Sequence, residues 1–373
     1  IALDNDPTSL SLVATCLSAG LIAFVLVGGI AADRLPQRTI IIAVESVNTV
    51  VVTAVAALGL TGALKLWHMA VAATALGVGA AFFFPAYSAY LPRLLPPEQL
   101  LAANGIEGVV RPTMQQAVGP AFAGVLTGAT FPSLGASVVA LLYGIGLTLL
   151  VATRPATGAA QDRPTTHPLA DLRDGYRFMM RTPWLLATLL FASGFVLLII
   201  GPLEVLLPFI TNARFEHGER VFGFVLAAFG LGGAVGALAV SSLKLPRRYL
   251  TVMVACWGFG NLPLVLIGYT SSFAVMALAS FVVGVTSSAA TVIWGTLLQR
   301  RVPPAMLGRV SSLDFFVSLV FMPLSMALAG PVSKVVSVQT IYLVAGTVPM
   351  VLGVVAWLAA RMARDEVEHP LDS

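Results

Sequence analysis

Apolar residues fill this chain in blocks of about twenty, the length a helix needs to cross ~30 Å of hydrocarbon, and each block ends in charge, proline or glycine. The pattern predicts eleven membrane-spanning helices, at roughly 9–32, 39–60, 66–91, 103–128, 134–153, 184–210, 221–243, 250–269, 273–298, 310–333 and 339–361. The joining segments alternate in charge. Sixteen of the 21 Lys and Arg, among them Arg34, Arg38, Arg93, Arg173, Arg177, Arg181, Arg300, Arg301, Arg309 and Arg361, lie on one side; Lys65, Arg214, Arg220 and Lys334 lie on the other, and Arg111 falls inside a span. The bias places the first side, with the C-terminus, in the cytoplasm, so residue 1 is expected outside.

A shift of 207 residues overlays Pro96-Pro97 on Pro303-Pro304, Leu91 on Leu298, Leu100 on Leu307, Glu107 on Asp314 and Gly29 on Gly236. The span boundaries shift by the same amount, and the 184–210 span then has a counterpart that ends near residue 3. One N-terminal helix is therefore expected to be absent from this numbering. The expectation is two six-helix halves running in the same direction, 1–153 and 184–361, followed by a cytoplasmic tail over 362–373. Parallel repeats of this kind favour a transporter whose site lies between the halves. The join, 154–183, begins as a polar, proline-rich linker and continues with Leu169, Leu172 and Tyr176 on one helical face and Arg173, Arg177 and Arg181 supplying charge. It predicts a short helix on the cytoplasmic surface.

Composition narrows the class. With 58% hydrophobic and 10% charged residues and a mean hydropathy of +0.92, the chain is neither an ordinary soluble enzyme nor a disordered protein. Its net charge of +4 follows from membrane topology and not from a nucleic-acid patch. Cys16 and Cys256 lie inside apolar runs, with no disulfide framework or CxxC pair. The four histidines make no HExxH spacing, and no GxxxxGK[ST] loop occurs. No metal, no cofactor and no enzymatic nucleophile set is expected.

The string Gly29-Ile30-Ala31-Ala32-Asp33-Arg34-Leu35-Pro36-Gln37-Arg38 resembles the loop motif between the second and third helices of major facilitator superfamily transporters. Gly119-Pro120 followed by Gly124 resembles that family's antiporter motif, with Gln115 where glycine is usual. The arrangement from Pro85 to Gly105 is similar to the branch of enterobactin exporters and macrolide or multidrug efflux proteins. The resemblance implies an all-α integral membrane protein with the major facilitator fold, its halves related by a pseudo-two-fold axis. It also implies that Gly29, Asp33, Arg34 and Arg38 clamp the cytoplasmic face when the cavity opens outward. One departure stands out: Gly77-Val78-Gly79 is preceded by Ala72, Ala73 and Thr74, with no arginine to serve as the usual basic partner in proton coupling.

Charges inside a membrane span are costly and point either to function or to a partner. Asn104, Glu107, Arg111 and Gln115 share one helical face. Glu107 and Arg111 form either a structural i,i+4 ion pair or a site where Arg111 attracts an anionic substrate group. Glu45, near Asn48, is a candidate proton carrier. Glu204 lies between Pro202 and Pro208, which predict a bent or broken helix end. Asp314, repeat-mate of Glu107, is expected to take Arg34 or Arg38 as partner. Phe82, Phe83, Phe84, Tyr87 and Tyr90, with Trp294 as the repeat-mate of Tyr87, are candidates to face a large, partly apolar ligand, with Met114 and Gln116 beside them. The glycines from Gly230 to Gly236 predict close helix packing.

These features together predict a secondary transporter of the cytoplasmic (inner) membrane, multi-pass and monomeric. It would export an amphipathic small molecule, drug- or siderophore-like, by proton antiport through Glu45, Glu107 or Glu204. A lysophospholipid flippase or facilitator of the same fold is the alternative. Protons, membrane lipids and a small-molecule or lipid-like substrate are the expected partners, with no nucleic acid.

Overall fold

The structure is a computed structural model that describes residues 7–114, 132–153 and 168–371. The described residues are helical, joined by short turns. In chain order the helices are α1 (Pro7–Arg34), α2 (Gln37–Leu60), α3 (Leu66–Leu94), α4 (Pro97–Pro112), α5 (Pro132–Ala152), α6 (Pro168–Arg181), α7 (Pro183–Gly201), α8 (Leu207–Arg214) and α9 (Gly218–Ser241). They continue with α10 (Tyr249–Phe259), α11 (Pro263–Tyr269), α12 (Phe273–Arg301), α13 (Leu307–Val335), α14 (Val338–Ala359) and α15 (Met362–Glu368). Six of these helices open on proline, whose missing N–H falls where the helix has no partner for it. Within the apolar stretches, hydroxyls such as those of Ser46, Thr49 and Thr188 donate to carbonyls one turn back, so they are satisfied without water.

Ten candidate spans occur among the described residues, matching ten of the eleven predicted. The remaining one, 103–128, is described only to residue 114; it begins as α4 at Pro97. The bend expected near Glu204 is a single π-turn, Pro202–Leu206, that joins α7 to α8 within the span Pro183–Arg214. The 250–269 span is interrupted: α10 stops at Phe259, and α11 restarts at Pro263, which has no N–H to continue the ladder.

The 207-residue repeat is present in the helix ends themselves. Arg34, Leu66, Leu94 and Ala152 map onto Ser241, Phe273, Arg301 and Ala359, which are the corresponding termini of α9, α12 and α14. Packing divides the chain into two compact units. One is Ile1–Pro96 with Met114–Tyr176 and Gln299–Phe316; the other is Pro97–Thr113 with Arg177–Leu298 and Val317–Ser373. One short segment of each sequential half thus groups with the other half, and the two exchanged segments are approximate repeat-mates.

In the first unit α1 and α3 pack backbone to backbone. A Cβ on Gly20 or Gly28 of α1 would overlap the carbonyls of Thr74 and Ala81, and one on Gly77 would overlap that of Leu17. Ala32, Ile40, Ile41, Val44 and Ala86 form a buried core with Phe82, Phe83, Tyr87, Tyr90 and Leu150 packed on it. The second unit repeats the device between α9 and α12, where Gly232, Gly236 and Gly284 meet the carbonyls of Phe281, Val285 and Phe229. Gly284 is the repeat-mate of Gly77. Small residues at such crossings let helices gain dispersion contact where lipid offers no hydrophobic drive.

Substitution of Gly77 or Gly284 by valine is expected to lower the unfolding temperature in detergent, since overpacking costs about 1–3 kcal/mol. Gly144→Ala, at a position with nothing within 4 Å, is expected to leave it unchanged.

Candidate functional site

The first site is built by the last turn of α1 and the first turn of α13. Gly29 and Asp33, four residues apart, share one face of α1. A Cβ on Gly29 would overlap the Ser312 side chain, and one on Gly308 would run into Asp33 and the Gly29 carbonyl, so both glycines are needed for this approach. The Asp33 carboxylate then meets a helix N-terminus. Its Oδ1 accepts from the Gly308 N–H at 2.8 Å. Its Oδ2 accepts from the Arg309 N–H at 3.2 Å and from Arg309 Nε at 2.7 Å. Two orphan amides, the positive end of the helix dipole and a guanidinium converge on one acid. The pair is sealed, with side-chain exposures of 7% for Arg309 and 1% for Asp33. Around it, Ser311 bonds Ser88 at 3.1 Å and Phe315 stacks on Phe84.

Other members of the expected clamp are placed differently. Arg38 donates to the carbonyls of Leu150, Val151 and Thr153, capping the C-terminus of α5 where unsatisfied carbonyls favour a cation. It therefore ties α2 to α5 and does not serve Asp314. Arg34 is half-buried at the end of α1, and Asp314 is half-buried on α13, five residues beyond Arg309. Sequence reading missed the partner of Asp33 because Arg309 counts there only as one more basic residue. The available signal was its position, directly after a glycine and at the start of an apolar run.

The second site is the polar face of α4. Gly105 and Gly108 seat this helix against Ser241, Ala237 and Val292. Asn104 donates to Thr296 Oγ1 at 3.2 Å and to its own helix at Leu100. Glu107 and Arg111 form an ion pair and keep part of their surface open. Gln115, Gln116, Gly119, Pro120 and Gly124 lie outside the described residues.

Glu45 of α2 is half-buried and lies close enough to Tyr143 of α5 to affect it electrostatically. Among the described residues its carboxylate makes no hydrogen bond and no ion pair. One turn on, Asn48 is buried with its Oδ1 unpartnered, and Gly79 leaves room for it. Glu204 is exposed in the middle of the π-turn. The aromatic candidates pack mostly against each other. Phe83 stacks on Tyr87, and Tyr90 joins them on the first unit's core. Trp294 is buried beside Trp184 and Trp257, the latter next to Phe191 and Phe195. Met114 is exposed. No cluster able to hold a metal ion occurs among the described residues.

Repeated sets of membrane-length helices, crossed on glycine and bearing a GxxxD motif that grips a second helix, define a polytopic helical membrane protein. The family model of the Major Facilitator Superfamily matches residues 1–316, and the chain belongs to that family. The multidrug efflux pump Tap of Mycolicibacterium fortuitum is 28% identical over 94% of this chain and 87% of its own length. The enterobactin exporter EntS of Escherichia coli is 28% identical over 77% and 68%. An uncharacterised MFS-type transporter, y4rN of Sinorhizobium fredii, is 31% identical over 72% of this chain; the match spans 65% of that relative, just under two thirds. Among solved structures, the Escherichia coli fucose:proton symporter FucP superposes with a TM-score of 0.71 at 12% identity, covering 95% of this chain and 90% of its own. That likeness establishes the fold.

Asp33→Asn removes the carboxylate charge that meets the buried Arg309 guanidinium, and breaking a buried pair from one side costs roughly 3–5 kcal/mol. A cysteine at Ser312, fully buried beneath Gly29, is expected to react with maleimide at least about tenfold faster in the Asp33→Asn background. Arg309→Gln is expected to act likewise, and the double variant to recover part of the protection, because both charges are gone.

Proposed function

We propose that this transporter exports an amphipathic small molecule from the cytoplasm by alternating access, with proton entry as the energy source. The observation that carries the reading is the sealed Asp33–Gly308–Arg309 contact. It holds the charge-rich ends of α1 and α13 together with a free energy that must be overcome before that end can open. A latch that is strong but made of few bonds suits a cycle of closed and open states. The positive-inside bias assigns this end to the cytoplasm and, in the same reading, places the protein in the inner membrane with its C-terminus inside. The halves 1–153 and 184–361 are the moving bodies, and a single chain supplies both.

The direction and the substrate class rest on the similarity to Tap and EntS, whose names describe a multidrug efflux pump and an enterobactin exporter. Proton coupling rests on the contrast between the intramembrane acids. A carboxylate at membrane depth needs a partner or a proton. Glu107 has Arg111, and Glu45 has no such partner among the described residues. We assign the transported proton to Glu45, with Glu204 as a carboxylate open to water at the other end. Arg111, held by Glu107 and still partly open, is the cation offered to an anionic group of the substrate. Phe84, on the latch helix pair, is the aromatic assigned to the substrate's path.

The test is efflux from proteoliposomes of a panel of dyes, macrolides and catechol siderophores, with and without an imposed proton gradient. Gradient-driven efflux is expected for the parent. Glu45→Gln is expected to lose at least about tenfold of it while retaining gradient-independent exchange, the split typical when a proton-transfer group alone is removed. Lysophospholipid transfer that ignores the gradient, with no efflux of the panel, would replace this reading with that of a lipid flippase.

A further inference from the structure

In an uninterrupted α-helix the Gly201 N–H would bond the Leu197 carbonyl directly. Here a side chain from another helix bonds both of these groups. The Gly201 N–H donates to Ser325 Oγ of α13 at 2.8 Å, and the same hydroxyl donates to the Leu197 carbonyl at 2.6 Å. Gly201 has no side chain to obstruct this, and a Cβ there would overlap the Ser325 carbonyl. This bridge sits directly before Pro202, which supplies no N–H, and before the π-turn, in which the Leu207 N–H reaches back to the Pro202 carbonyl. That carbonyl is also held by the Tyr342 hydroxyl of α14 at 2.7 Å. Ser325 and Tyr342 are 3% and 0% exposed, so the bonds form out of reach of water. Glu204 stands in the middle of the turn and is exposed.

Both positions of the hydroxyl leave every group bonded. With Ser325 inserted, Gly201 and Leu197 are bridged. With Ser325 withdrawn, the Gly201 N–H and the Leu197 carbonyl are left to each other, and the serine hydroxyl can bond the carbonyl one turn back in α13, at Phe321. No backbone group is orphaned in hydrocarbon by the exchange, which removes the main obstacle to bending a membrane helix. π-Turns recur at functional positions for the related reason that they re-aim a side chain without ending the helix.

We propose that Ser325 and Tyr342 are positioning residues for Glu204. The Ser325 hydroxyl enters and leaves the Leu197–Gly201 ladder during the transport cycle, and the π-turn swings Glu204 between two exposures. The inference rests on the alternating-access reading but reads out separately from it. The chemistry at issue is protonation of a carboxylate from the aqueous side, gated by a hydroxyl that never touches the substrate.

The experiment uses the full chain in proteoliposomes with Cys16 and Cys256 replaced by serine. A reporter cysteine at Glu204 measures exposure by reaction with a membrane-impermeant maleimide, without substrate or gradient. In the Glu204-containing protein, turnover and KM are measured in parallel. Ser325→Ala is expected to slow labelling at position 204 about fivefold, a shift of the size one hydrogen bond supports. The same change should lower turnover about fivefold with KM within about twofold, whereas Ser325→Thr, which keeps the hydroxyl, stays within about twofold of the parent in both. Tyr342→Phe removes only the bond to Pro202 and should move labelling the same way by less; it also decides the matter if Ser325→Ala does not fold. Equal behaviour of the Ala and Thr variants, or a lower unfolding temperature with unchanged labelling, would overturn the hinge and leave Ser325 a packing residue. A labelling shift without gradient-driven efflux would keep the hinge and remove the export reading.

Discussion

A backbone N–H or carbonyl in hydrocarbon has no water to turn to, so every departure from regular helix in this protein must be met by a group from elsewhere in the chain. The same solution recurs at several helix ends and breaks. Arg38 takes the last carbonyls of α5, and Arg214 takes those of Ile267, Gly268 and Thr270 at the end of α11. Glu366 accepts from the Thr251 N–H and hydroxyl at the start of α10. Asp33 does this for α13, and Ser325 for the ladder before the π-turn. Cations sit at helix C-termini and acids at N-termini, as the dipole requires. Each cap also joins two elements, so satisfying the backbone and assembling the bundle are one process.

This constraint explains why the breaks are where motion is assigned. A span without an internal proline, such as α12, has its bonds internal and gives nothing up by staying as it is. Where an amide bonds a side chain from another helix, as at Gly308 or Gly201, it can take a different partner in a second arrangement. The glycines serve the same end from the packing side. Gly77 and Gly284 fix α3 and α12 tightly on their neighbours, while Gly29, Gly201 and Gly308 admit a polar side chain or a helix end.

The charges divide along the same line. Asp33 with Arg309 is sealed, and the interaction is strong because it is dry. Glu107 with Arg111 remains partly open, which leaves the cation usable. Glu45, half-buried and without an ionic partner among the described residues, carries a cost that either a proton or a moving neighbour must relieve. Asp33, Glu107 and Glu45 thus sit in three different environments, and the proposed roles of latch, anchor and carrier rest on that difference.

The spans, the two-fold repeat and the charge asymmetry are legible in the sequence because each depends on the local run of residues against a slab of fixed thickness. The bend at Pro202 is legible for a similar reason, since proline lacks its donor in any context. So is the importance of Gly29 and Asp33, through the resemblance of their string to the family's loop motif. What the sequence could not supply is the other half of each contact. Arg309 lies 276 positions from Asp33, and nothing local marks it, rather than Arg34 or Arg38, as the arginine of the latch. Ser325 reads as an ordinary hydroxyl in an apolar run, and Trp294 reads as a cavity residue until Trp184 and Trp257 are found against it. Partnerships of this kind are set by how rigid helices cross, to within an ångström, and only the tertiary structure fixes which side chain arrives at a given vacant donor or acceptor.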